Sequence, residues 1–318
     1  MAYDDFLDAF ATAQGLQSRD DLLTNHATRY AFQIGSRTRA QKMIDSLTTR
    51  MGLSFAGKNV LDVGCAYGSF SIEMAKQGAR VTGIDISDKW LKLAEINARG
   101  DCEGKFLNCD ASSYRAHASL QDSGPFDIFI INDVFEHIFD TVGLMRNIAL
   151  LGTPDALVYF KVPNGQATRH VLLEGHKKVF GISLLAPDYW SEFVTAPFHI
   201  YYRRWTYFKA IFDSFGFTRL HLHNKVTDPD IDTTRRHITN DLAKIRRHMK
   251  AENFATPAQY AYLRAATKYY FEEAAEDIET MEWSELFFKY RVTFWEGTIQ
   301  RGSGPSAGSM GMEGQDAR

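Results

Sequence analysis

Cysteine is scarce in this chain: 318 residues carry only Cys65, Cys102 and Cys109. That is too few, at too irregular a spacing, for a disulfide framework or a zinc ribbon. A reducing compartment fits, and Cys65 and Cys109 read as small core fillers. Long hydrophobic runs are also lacking, and none approaches the roughly 18–20 apolar residues of a membrane-crossing helix. The start, Met1-Ala2-Tyr3-Asp4-Asp5, has neither a positive cluster nor an apolar core behind it, so no secretory leader is expected. A cytoplasmic location without a membrane span is the resulting expectation. Excess charge of one sign is missing too: the formal charge is −3, which supplies no global basic field for a nucleic-acid backbone. What is present is a 45% hydrophobic, 24% charged composition, ordinary for a chain that buries a large core.

Strands and helices alternate through the middle of the chain. Asn59–Val63, Arg80–Ile84, Lys105–Cys109, Phe126–Asn132, Ala156–Val162 and Phe217–His223 read as strands. Between them lie helical patterns at Ser69–Lys76, from the N-cap Ser87 to Arg99, at Thr141–Leu150 and at Tyr207–Phe215. The run Phe126–Asn132 is almost continuously apolar, as in a strand buried on both faces. Repeated strand–helix units predict an α/β fold, a doubly wound, mostly parallel sheet with helices on both faces. Residues 1–54 read as an N-terminal helical segment, with Ala40, Ile44 and Leu47 on one face of a helix over Thr38–Arg50. Residues 55–224 form the expected Rossmann-like core, and 225–300 a helical C-terminal addition. Within that addition Glu282–Gln300 is expected to be helical, and no seventh strand is evident after His223. The segment 301–318, rich in Gly and Ser, is expected to be a disordered tail.

The stretch Val60-Leu61-Asp62-Val63-Gly64-Cys65-Ala66-Tyr67-Gly68 drives a buried strand into a turn of small residues. In an open parallel sheet, ligands bind beyond the carboxyl ends of the strands, where strand order reverses. A dinucleotide turn wants glycine at its first, third and sixth positions. Those positions hold Gly64, Ala66 and Ser69, so an NAD-type cofactor is disfavoured. Asp85 ends the second strand, where a carboxylate accepts both hydroxyls of an unphosphorylated ribose.

With VLDVGCAYG at 60–68, GIDIS at 83–87, NCDAS at 108–112 and FDIFIINDVFEHI at 126–138, the chain resembles the class I S-adenosylmethionine-dependent methyltransferases over about residues 55–223. The resemblance implies S-adenosyl-L-methionine as cofactor. It places Asp85 on the ribose, Asp110 and Ala111 beside the adenine, Asp62 and the turn residues Gly64, Ala66, Tyr67 and Gly68 toward the methionine part, and Asn132 at the amino group; Ile86 joins this set. Ala66 departs from the glycine of many members. The bland alternatives are that Asp62 orients its loop and that Asp110 caps a turn.

Methyl transfer from a sulfonium needs in-line alignment and, for a hydroxyl acceptor, removal of a proton. The loop Asn132-Asp133-Val134-Phe135-Glu136-His137 lies at the carboxyl edge, and His137 titrates near neutrality. A second histidine, His199, sits in an aromatic stretch before Arg204 and Trp205. Glu136, His137 and His199 are thus the candidate catalytic residues. The group of enzymes with a Glu-His pair after the fourth strand and a His-aromatic segment after the fifth is similar here, and it implies a small-molecule acceptor. A sharper reading makes Asp133, Glu136, His137 and His199 a divalent-metal site, as in small-RNA 2′-O-methyltransferases, which this loop resembles with Asp in place of Glu at 133. The favoured reading is that Glu136 and His137 brace the loop without an ion.

The aromatics of 187–205 form either an acceptor lid or part of the core. His170 and His176 read as ordinary loop histidines. Arg235, Arg236, Lys244, Arg246, Arg247 and Lys250 crowd one helix, more simply a solvated face than an RNA groove. The leading expectation is methyl transfer to a small-molecule hydroxyl. The alternatives are a metal-dependent RNA 2′-O-methyltransferase and a non-catalytic cofactor-binding module.

Overall fold

The computed structural model describes residues 2–102, 104–195 and 198–302. Seven strands, β1 (Asn59–Val63), β2 (Arg80–Asp85), β3 (Lys105–Asn108), β4 (Phe126–Asn132), β5 (Gly152–Pro163), β6 (Arg219–Leu222) and β7 (Phe294–Gln300), form one sheet in the order β3-β2-β1-β4-β5-β7-β6. β1 pairs in parallel with both β2 and β4, so the strand order reverses between β1 and β4. β7 is antiparallel to both β5 and β6.

β4 shows why the sheet is doubly covered. Phe129 and Ile131 point into the cluster with Phe208 and Phe212 of helix Trp205–Ser214 and with Leu144 and Ile148 of helix Thr141–Leu151. Ile128 and Ile130 point the other way, against Ile44 and Leu47 of helix Ser36–Met51 and Met74 of helix Ser69–Lys76. Successive residues of a strand face opposite sides, so a strand covered on both sides must be apolar throughout.

The expected helical run Glu282–Gln300 divides. Its first part is the helix Trp283–Tyr290, but Phe294–Gln300 is the strand β7. The physical reason is local. Val292 and Thr293 are β-branched, Phe294 and Trp295 are aromatic, and Gly297 weakens a helix. Trp295 and Ile299 then share one face with period two, in the core beside Phe160 and Phe208. The seventh strand, not evident after β6, therefore lies at the far end of a helical excursion containing Ile231–His248, Pro257–Thr280 and Trp283–Tyr290. These helices pack through Ile238, Ile245, Tyr270, Leu286 and Tyr290 onto Val171, just past the carboxyl end of β5. The expected tail falls almost wholly outside the described residues.

The basic side chains of helix Ile231–His248 are partly engaged within the fold. Arg235 Nε donates to the Ile278 carbonyl, Lys244 pairs with Asp241 at 2.6 Å, and Arg236 donates to Thr233. No described helix is long and apolar enough to cross a membrane.

Candidate active site

The turn after β1 is built from left-handed backbone. Gly64 and Gly68 have φ of 68° and 72°, and Ala66 has φ of 47°. At Gly64 the demand is double, because a Cβ there would stand 2.6 Å from Val134 Cγ2. Val134 belongs to the loop after β4, so the glycine lets two carboxyl-edge loops approach each other.

Asp85 ties this turn down. Its Oδ2 accepts from the Ala66 amide at 3.0 Å, and its Oδ1 accepts from the Ser87 amide at 2.9 Å. An ionised carboxylate has about four acceptor positions, so two remain after both bonds. Ile86, next in the chain, is an apolar side chain that is 74% exposed. Asp62 lies beneath the turn, fully enclosed, and accepts from the Ser71 hydroxyl at 2.5 Å. Burial raises its pKa to about 7, against the lowering effect of Ser71. Tyr67 packs its ring against Phe6 at 5.5 Å and Trp90 at 5.9 Å. The N-terminal helix Ala2–Ala13 therefore braces the turn from behind. Asn97 adds to this by donating to the Tyr67 carbonyl at 2.7 Å. Asp110 accepts at Oδ1 from both the amide and the hydroxyl of Ser112, closing a turn that carries Ala111.

Beyond β4, Asp133 adopts φ of 56° and pairs through Oδ2 with Lys161 Nζ at 3.3 Å and with Asn132 Nδ2 at 3.0 Å. Glu136 is 0% exposed, and neither carboxylate oxygen has a hydrogen-bond partner among the described residues. Burial, reinforced by the Asp133 charge, pushes its pKa up to about 8. His137 stands at the surface beside it. Its Nδ1 meets the His199 carbonyl at 3.2 Å. A carbonyl only accepts, so Nδ1 carries the proton and Nε2 keeps a free lone pair. Desolvation, then the neighbouring His176, hold the His137 pKa below the usual histidine value.

The four-residue donor set Asp133, Glu136, His137 and His199 does not assemble. Asp133 pairs with Lys161 through Oδ2 while its buried Oδ1 has no partner among the described residues, and His199 contributes its backbone while its ring is exposed. His176 comes in instead: one ligand atom each from Glu136, His137 and His176 lie within 4.8 Å of one another. Its spacing from the motif loop concealed it. The signal was its neighbour Glu174, an acid two residues away that holds the imidazole at 2.8 Å. His170 is structural, buried with Nδ1 on the Asn164 carbonyl at 2.9 Å.

The aromatic stretch divides between core and cavity lining. Trp190, Phe198 and Ile200 complete a small core. Tyr201 and Tyr202, with Phe139, Trp190, Arg204 and Tyr269, line a cavity of about 500 Å³ next to the loop after β4. Arg203 fastens that loop by donating to the carbonyls of Phe135, Ile138 and Phe139.

A family model described as a methyltransferase domain matches residues 36–222, more than half of the 318. The chain belongs to the methyltransferase domain family. Its relatives include the ubiquinone biosynthesis O-methyltransferase of Nitrosospira multiformis, 40% identical over 109 residues, which is 34% of this chain and 44% of that protein. The protein of the same name from Albidiferax ferrireducens is 36% identical over 117 residues, 37% of this chain and 46% of that one. The chain thus spans less than half the length of these relatives. Among solved structures, a SAM-dependent methyltransferase from Archaeoglobus fulgidus is similar with a TM-score of 0.47 and 15% identity, covering 86% of this chain and all of that one. The doubly wound, mostly parallel sheet rests on the observed strand order and pairing themselves.

Proposed function

We propose that this protein transfers the methyl group of S-adenosyl-L-methionine to a hydroxyl of a small-molecule acceptor. The observation that carries the reading is the juxtaposition at the β1/β4 reversal. There the left-handed turn 64–68, fixed by Asp85, touches the loop that bears Glu136 and His137. In this reading Asp85 receives the ribose with its two remaining acceptor positions. Ile86 and the Asp110–Ala111 turn flank the adenine. Asp62, Gly64, Ala66, Gly68 and Asn132 surround the methionine part; Tyr67 contributes backbone, its ring being turned to the N-terminal helix. The acceptor enters from the cavity walled by Phe139, Tyr201 and Tyr202.

The chain's own work is alignment and proton handling. Holding the acceptor oxygen in line with the sulfonium supplies up to about 7–11 kcal/mol of the barrier reduction. With Nδ1 protonated against the His199 carbonyl, Nε2 of His137 is the lone pair available to the acceptor's proton, and the lowered pKa keeps it unprotonated at neutral pH. Oxygen as the acceptor atom is supported by this loop and by the names of the relatives, which are O-methyltransferases.

The test is a two-part measurement. Calorimetry with S-adenosylhomocysteine should show one site per chain. Incubation of methyl-labelled cofactor with a panel of phenolic and catecholic acceptors should release S-adenosylhomocysteine and a methyl ether. Cofactor binding without turnover on any hydroxyl, amine or thiol panel would favour a non-catalytic module. No binding at all would end the proposal.

A further inference from the structure

Glu136 is a carboxylate without a partner in a place that punishes one. Its side chain is fully enclosed, neither oxygen meets a donor among the described residues, and the like-signed Asp133 acts on it more strongly than the opposite charge of Lys161. An isolated ionised carboxylate is strongly disfavoured inside a protein, and such groups are retained where a cation or a proton completes them. Two imidazoles flank it. The rings of His137 and His176 stand 5.6 Å apart and nearly perpendicular, and both Nδ1 atoms are already engaged. His137 Nδ1 faces the His199 carbonyl, and His176 Nδ1 faces Glu174 Oε1 at 2.8 Å. Each histidine therefore turns a free Nε2 lone pair to its surroundings.

The second of these contacts is a built support. Glu174 is itself 0% exposed and is saturated with donors. Oε1 accepts from the His176 amide at 2.7 Å and from the Tyr202 hydroxyl at 2.5 Å, and Oε2 accepts from the amides of Lys177 and Lys178. A carboxylate that fixes one imidazole nitrogen and aims the other is the usual outer partner of a metal-ligating histidine. The loop 174–178 is thus wound around one carboxylate, and the histidine it presents reaches the unpartnered Glu136.

We propose that Glu136, His137 and His176 form a divalent-cation site, with Glu174 as the positioning residue that aims His176. The set differs from the one expected from sequence by taking His176 in place of His199 and by leaving out Asp133, whose Oδ2 is held by Lys161 and which does not converge with the other three. One carboxylate and two imidazoles on one face suit a borderline first-row ion such as Zn²⁺, Fe²⁺, Co²⁺ or Mn²⁺ better than Mg²⁺. A bound ion of this kind lowers the pKa of a coordinated hydroxyl, and with the ion in place His137 Nε2 is its ligand rather than the proton acceptor. This consequence rests on the methyl-transfer reading; the binding of the ion does not.

The experiment uses the full chain, dialysed against a chelator and titrated with Zn²⁺ by calorimetry and with Co²⁺ by visible absorption. One ion per chain is expected, with d–d bands of a low-coordinate Co²⁺ complex. His176→Ala, a surface change, should weaken binding at least tenfold, and Glu174→Gln by about 10–100-fold. His199→Ala should leave the affinity within about twofold of the parent. Glu174→Gln alters a buried network, so its thermal unfolding is recorded alongside, and Tyr202→Phe, which removes only one donor to Glu174, is expected to weaken binding in the same direction. Failure of the parent to bind either ion overturns the proposal, as does unchanged affinity in His176→Ala or a loss in His199→Ala equal to that in His176→Ala. Methyl transfer that proceeds in chelator with no bound ion would overturn the ion's role and leave the His137 base standing. Ion binding in a chain that never binds S-adenosylhomocysteine would overturn the methyl-transfer reading and leave the site intact.

Discussion

Replacing Asp85 by alanine removes two kinds of interaction at once. The carboxylate holds the Ala66 amide at 3.0 Å and the Ser87 amide at 2.9 Å, and so fixes the turn assigned to the cofactor in the proposed function. In that proposal its remaining acceptor positions are offered to the ribose. A hydrogen bond to a charged group contributes about 1.5–3 kcal/mol. Loss of the ribose contact alone therefore predicts S-adenosylhomocysteine binding about 10–150-fold weaker in Asp85→Ala. Loosening of the turn, whose Ala66 sits at φ 47° against its steric preference, pushes the result toward the upper end. Asp85→Asn should not rescue, because its amide nitrogen would face one of the two backbone donors that the carboxylate satisfies. Isothermal calorimetry reads the affinity, and far-ultraviolet circular dichroism checks that the variants are folded. A dissociation constant unchanged within about twofold in a folded Asp85→Ala protein would refute both the ribose assignment and the coupling of turn to ligand.

Three other outcomes follow from the same geometry. His137→Ala should lower turnover by about 10²–10⁴-fold while leaving S-adenosylhomocysteine affinity nearly unchanged, as separate kinetic and calorimetric measurements would show; equal turnover in mutant and parent would exclude His137 from the chemistry. Gly64→Ala imposes a left-handed φ on a residue with a side chain and drives its Cβ to 2.6 Å from Val134 Cγ2; urea denaturation should show a loss of about 2–5 kcal/mol, and a loss below about 1 kcal/mol would contradict the close approach of the two loops. Asp62 has its pKa raised by burial from 3.8 to about 7. The folded state then holds a proton that the unfolded chain releases near pH 4. The contribution to stability is full below that pH and is lost as pH rises toward 7, on the order of a few kcal/mol. Asp62→Asn should flatten that part of the stability–pH curve, and an unchanged slope between pH 4 and 7 would remove the effect.

The sheet was legible where each strand carries its own unmistakable pattern. Phe126–Asn132 could only be a strand covered on both faces, and the turn at 64–68 was read correctly as following β1, with Asp85 ending β2. β7 was missed because Trp283–Tyr290 is strongly helical and only three residues separate it from the strand. A pattern window spanning both averages a period of 3.6 with a period of two. The clue was Thr293-Phe294-Trp295-Glu296-Gly297, where branched, aromatic and glycine residues all oppose helix. At the site, Glu136 and His137 were visible because they follow a strand end directly. His176 was not, since its place depends on how the loop after β5 folds back, which no local spacing encodes. Glu174 makes that fold-back, and its role emerges only once three amides and a tyrosine hydroxyl converge on it. Likewise the sequence offered Tyr67 as a ligand contact, but the aromatic ring was claimed by Phe6 from a helix far earlier in the chain.

β7 lies between β5 and β6, and its hydrogen bonds are shared with both. The excursion that helps line the cavity of about 500 Å³ thus leaves the sheet after β6 and must come home to a slot in the sheet's interior. Its two ends are stitched to the same layer, so it cannot be shed like an accessory hung on a terminus. A chain cut at residue 224 would leave the whole flank of β5 and one side of β6 with open amides and carbonyls, which invite pairing with neighbouring molecules. Such a fragment should precipitate rather than persist as a smaller enzyme. Exchanging the acceptor wall for one of different chemistry is feasible only by swapping the arc between the two strands while keeping both anchors.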